Sequence, residues 1–207
     1  MNASSNPILH TISQSKTILA IVLSISLMAT GCSTQWISIA LADLPALIQM
    51  ALNIGTIVTT LQSGNQISAA DAAAIQNISA QASKDLNLLQ AFYNDYKANP
   101  NASALQKIES VIADINQSLP ALLQAAHIAD PVLSARIGAA VNLILTTVAS
   151  FAALMPQPVA QLTAKRAGNS HLAIPKASDL KKQWNQQVCG PATNSALDFS
   201  TAGCIVR

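Results

Sequence analysis

The side chains able to do covalent or metal chemistry are few. The chain holds three cysteines, Cys32, Cys189 and Cys204, and three histidines, His10, His127 and His171. Glu109 is the single glutamate. Zinc and di-iron sites in helical proteins draw on several inward Glu and His residues. Neither His127 nor His171 stands in an H-x-x-x-H or H-E-x-x-H pattern, so no metal site is expected. There is no G-x-S-x-G elbow and no glycine-rich phosphate loop. A Cys189 or Cys204 dyad with His171 competes with a disulfide, and Asp85 with Asp95 makes a carboxylate pair only if the fold brings them together. The expectation is a non-enzyme without a cofactor.

Cys32 has the richest context. It follows an uncharged and mostly apolar run from Thr17 to Ala29, behind Lys16, which is the only Lys, Arg, Asp or Glu before Cys32. Such a run is short of the roughly 20 residues that span a bilayer and has the length of a signal-peptide core. It closes on Ala29-Thr30-Gly31-Cys32. This ending resembles the lipobox of bacterial lipoprotein precursors, with Thr30, Gly31 and Cys32 matching and Ala29 standing where leucine is commoner. The resemblance covers residues 1–32 only. It implies diacylglyceryl transfer to the Cys32 thiol, cleavage between Gly31 and Cys32, and acylation of the new amine, hence labelling by palmitate. Several acyl chains anchor firmly where one is marginal, at about 0.8 kcal/mol per buried methylene. Ser33, in place of an aspartate, implies sorting to the periplasmic side of the outer membrane if the cell has one.

With Cys32 so used, Cys189 and Cys204 remain. They bracket the short segment Gly190 to Gly203, and export places them where disulfides persist. Closing that loop would stabilise the fold by about 3 kcal/mol. Free thiols or bonds between chains are the alternative.

Periodicity predicts the elements that carry these residues. A first helix is expected from Asp43 as N-cap, with Pro45 in its first turn and Gly64 at its end. A second starts at a Ser68-x-x-Asp71 capping pattern and continues to Lys97. A third runs from about Ala102 to His127, with Pro120 expected to kink or split it. A fourth opens on Asp130-Pro131 and is stopped by Pro156. Short connections make neighbours antiparallel, so the reading is all-α: an antiparallel up-and-down four-helix bundle with an irregular C-terminal tail. The expected divisions are a leader (1–31), an anchor linker (32–42), the bundle (43–156) and a basic, loop-rich tail (157–207) with one short helix near Ser178 to Gln187.

Hydrophobic residues are 51% of the chain, charged ones 10% and aromatics 3%. That excludes disorder, which needs high charge and low hydrophobicity. It also disfavours nucleic-acid binding, which uses stacking aromatics. Residues 43–155 are net acidic and residues 156–207 net basic. Leu44 to Ala70 and Ile137 to Ala164 carry no charge. Three functions fit: a lipid-anchored module that binds an envelope protein or polymer or serves structurally, a membrane-active bundle that opens and inserts a hairpin, or a carrier of an apolar ligand in the bundle core.

Overall fold

The computed structural model describes residues 35–155 and 175–190, and the statements that follow concern these. Helix α1 runs from Gln35 to Ser63, beginning about two turns before the Asp43 start expected from the sequence. Trp36, Ile37 and Ala40 extend the apolar stripe upstream and are buried. That burial outweighs the local start signal, and Pro45 lies inside the helix rather than in its first turn. The helix ends through Asn65, whose φ of 54° takes the left-handed position at which Gly64 was expected to act. The Gln66 N–H closes back on the Leu61 carbonyl at 2.9 Å, as in a C-terminal cap.

Helix α2, Ala69–Ala98, starts where the capping pattern puts it, with the Ser68 hydroxyl accepting from the Asp71 N–H at 3.0 Å. Helix α3, Ala102–Ala125, is capped by Asn101 accepting from the Ala104 N–H at 2.8 Å. It is not split at Pro120. A proline removes one backbone donor, and Ile115 and Leu119, both closed to solvent, hold the helix in the turn that leads into it. His127 follows with φ 43°, a left-handed residue just beyond the helix end. Helix α4, Pro131–Leu154, has proline in its first turn and Asp130 accepting from the Leu133 N–H at 2.7 Å.

Contacts between helices show their directions. Trp36 of α1 meets Tyr93 of α2 edge-on, with centroids 5.5 Å apart. Further along α1, the Ser79 hydroxyl of α2 donates to the Ala51 carbonyl at 2.6 Å. Rising numbers on α1 thus meet falling numbers on α2, so the two are antiparallel. Tyr93 also meets Phe151 of α4 edge-on at 6.4 Å. The chain is an all-α helical bundle, and no strand occurs among the described residues. Its core is mostly aliphatic, with Leu44, Ile54, Ile75, Leu86, Ile108, Ile137 and Ile144 fully excluded from solvent beside the aromatic rings of Tyr93, Phe151 and Trp184.

The expected short helix in the tail is α5, Ala177–Gln187. It is no loop appendage. Leu180, Trp184 and Val188 recur every four residues on one side and join the core, so the segment read as irregular tail supplies part of the bundle's packing.

Candidate functional site

Helix α5 is held at both ends by the only charges on α1 and α4. Asp43, 6% exposed, is the lone charged residue of α1. It caps a helix, as its residue type suggested, but that helix is α5: its carboxylate takes a hydrogen bond from the Ala177 backbone N–H and also faces Asp179. Burial raises the Asp43 pKa above its ordinary 3.8, against the opposing pull of the Ala177 N–H, and Asp179 raises it further. At the other end, Arg136 of α4 donates from Nη1 to the Val188 carbonyl at 2.6 Å and from Nη2 to the Gly190 carbonyl at 2.5 Å. A guanidinium fork suits two converging acceptors. Its burial lowers the Arg136 pKa below the ordinary guanidinium value. The negative group sits at the N-terminus of α5 and the positive group at its C-terminus, the arrangement that complements a helix dipole.

The exposed side of α5 carries Lys176, Lys181 and Lys182 with one acid, Asp179. Asp179 Oδ2 accepts from the Lys176 backbone N–H at 3.3 Å and so serves the helix start. Lys181 borders a cavity of about 340 Å³ walled by Ala42, Pro45, Ala46, Gln49 and Ala177. Ser178 and Lys181 stand three positions apart, the spacing of a Ser/Lys nucleophile pair that sequence reasoning missed. Lys181 is exposed, whereas a nucleophilic pair needs a desolvated lysine.

Two further concavities open elsewhere. A groove of about 670 Å³ between α1 and α2 has Gly55, Ser79 and Ala80 among its lining, with Leu52 beside them at 48% exposure. Another of about 410 Å³ lies at the turn between α2 and α3, bordered by Asp95, Asn99, Asn101 and Lys107.

Of the residues singled out from the sequence, Gly31, Cys32, His171 and Cys204 lie outside the described residues. Cys189 follows α5, half-buried, and is not a free thiol. Asp85 and Asp95 are not brought together. Both lie on α2, about 15 Å apart along its axis. Asp85 is buried, and both its oxygens accept from Gln81 Nε2 at 2.9 Å, whereas Asp95 is exposed. Among the described residues no three His, Cys, Asp or Glu side chains cluster as metal ligands.

The chain matches no family model, no curated protein and no solved structure.

Proposed function

We propose that the chain is the precursor of an exported bacterial lipoprotein, held to a membrane surface by lipid on Cys32. Its helical body then acts as a non-enzymatic binding or structural module of the cell envelope. The observation that carries this reading is the apolar run from Thr17 to Ala29, closing on Thr30-Gly31-Cys32. Small residues before the cleaved bond let a peptidase reach the backbone, and the thiol is the nucleophile that takes the lipid. Ser33 favours the outer membrane where one exists. In the same reading Cys189 pairs with Cys204, in keeping with a Cys189 thiol that is not free. The test is metabolic labelling. Palmitate should enter the wild-type chain, and Cys32→Ala should abolish the label and leave the leader attached. Label that persists in Cys32→Ala would sink the proposal.

A second reading is favoured by α1 and α4. Trp36–Ser63 and Pro131–Leu154 are long and apolar enough to cross a bilayer, with half of each apolar window buried in the bundle. Hydroxyls along both helices are satisfied within them: Thr56, Thr59 and Thr60 donate to carbonyls one turn back on α1, as do Thr147 and Ser150 on α4. A helix bonded in this way leaves few donors stranded in lipid. If these helices insert, the chain should release dye from loaded vesicles; intact vesicles would remove this reading. The third reading, a carrier, draws less support. Core side chains at 0% exposure on all four long helices favour a filled interior over a hollow one.

A further inference from the structure

The charge pattern around α5 picks out one side of the bundle. Helix α1 carries one Asp, Glu, Lys or Arg, and so does α4. Both, Asp43 and Arg136, are buried and engaged with the ends of α5. Neither helix therefore presents a charged side chain to solvent. Among the described residues, the surface charge of this three-helix side comes from α5 and its N-cap, from Lys176, Lys181 and Lys182 against Asp179, whose carboxylate is turned to the helix start. Helices α2 and α3 differ: Lys84, Lys97 and Lys107 are matched by Asp71, Asp95, Glu109 and Asp114 on the same two helices.

From this we infer that α5, with the uncharged α1 and α4 beneath it, is the face this protein turns to an anionic lipid surface. A helix that buries an apolar stripe in its own bundle and lifts three lysines outward is an electrostatic contact rather than an inserting wedge. Lysines attract anionic headgroups once they come within a Debye length. The uncharged flanks oppose that approach with no like charge and no exposed ion to desolvate. Lys181 shares the lining of one cavity with Ala42, Pro45 and Ala46, apolar surface along which a lysine stem can lie while its ammonium reaches a headgroup. The inference deepens the lipoprotein reading and rests on it. Only Ser33 and Thr34 separate Cys32 from Gln35 at the start of α1. The three Cα–Cα steps reach at most about 11 Å, so an acylated Cys32 would keep the start of α1 close to the bilayer.

The experiment uses the full acylated chain in vesicles that carry a headgroup-attached quencher. A fluorophore is placed on α5 through Gln186→Cys, or on α3 through Ser110→Cys; both sites are exposed. In phosphatidylglycerol vesicles the α5 probe should be quenched severalfold more than the α3 probe. The contrast should vanish in phosphatidylcholine vesicles, at raised salt, and in a Lys176→Glu, Lys181→Glu, Lys182→Glu variant whose helical circular dichroism matches wild type. Equal quenching at the two sites would overturn the inference, as would a contrast that survives the charge reversal. So would binding that a soluble polyanion competes away while anionic vesicles do not, since that would make a polymer the partner. Palmitate incorporation, read on the same samples, separates the two claims. Acylated protein with equal quenching fails the surface and keeps the anchor. Unacylated protein that sediments with anionic vesicles, and not with neutral ones, fails the anchor and keeps the surface.

Discussion

At the residue scale, two side chains show how local identity takes its meaning from distant partners. Asp43 stands out in the sequence as an N-cap because Leu44-Pro45 follows it, and it does cap, yet the helix it caps begins far along the chain at Ala177. Its raised pKa has a defined consequence. With α5 docked, the buried carboxyl holds its proton more tightly than it does once α5 leaves, so this contribution to docking is fully present below the ordinary carboxylate range. It is lost as pH rises through the raised value. Asp43→Asn keeps an acceptor for the Ala177 N–H without the buried charge. Thermal melts across pH should therefore show wild type losing stability relative to Asp43→Asn as pH rises from acid to neutral; a relative loss on acidification would contradict the assignment. Gly55 is the second case. A Cβ there would stand 2.9 Å from Ser79 Oγ, the atom that bonds the Ala51 carbonyl. Gly55→Ala should cost about 1–3 kcal/mol by denaturant unfolding. In a Ser79→Ala background most of that cost should disappear, because the nearest remaining contact is the Ser79 Cβ at 3.6 Å.

At the element scale, α5 carries most of what the sequence left unread. The helix itself was legible almost to its true start. Its docking was not, although Leu180, Trp184 and Val188 at helical spacing were the available signal. The surrounding Pro, Gly, Ser and Lys content outweighed that stripe. The capped starts of α2 and α4 were legible because each uses a side chain that bonds its own first turn. The start of α1 was not, because the burial of Trp36 and Ile37 that carries the apolar stripe upstream of Asp43 is a tertiary effect. Pro120 does not split α3 for the opposite reason: a strong local breaker is tolerated where the residues before it are already fixed in the core. The docking of α5 is directly testable through Arg136. Arg136→Met leaves the Val188 and Gly190 carbonyls without their donor. It should cost about 2–4 kcal/mol and speed limited proteolysis beside α5, read by mass spectrometry of the fragments, while the far-ultraviolet helical signal stays near wild type. Unchanged proteolysis would mean that the guanidinium does not hold the helix.

At the scale of the whole molecule, the two charge-free stretches have a structural explanation in the first instance. They fall largely within the helices whose sole charges turn inward to grip α5, and their apolar stripes fill the core. The bundle class was legible because four long stretches keep a helical period between short connections. The α1–α2 groove was not, because it depends on which small residues meet across two helices. In the lipoprotein reading proposed above, function is read from the Thr30-Gly31-Cys32 ending rather than from the helical body. The most direct measurement is the intact mass of the protein extracted from the membranes of a bacterial host that lipidates exported precursors. A lipidated precursor should yield a chain that begins at Cys32, lacks the leader and is heavier than its sequence by a diacylglyceryl group and an acyl chain. A chain with an unmodified Cys32, or one that retains the leader, would contradict it.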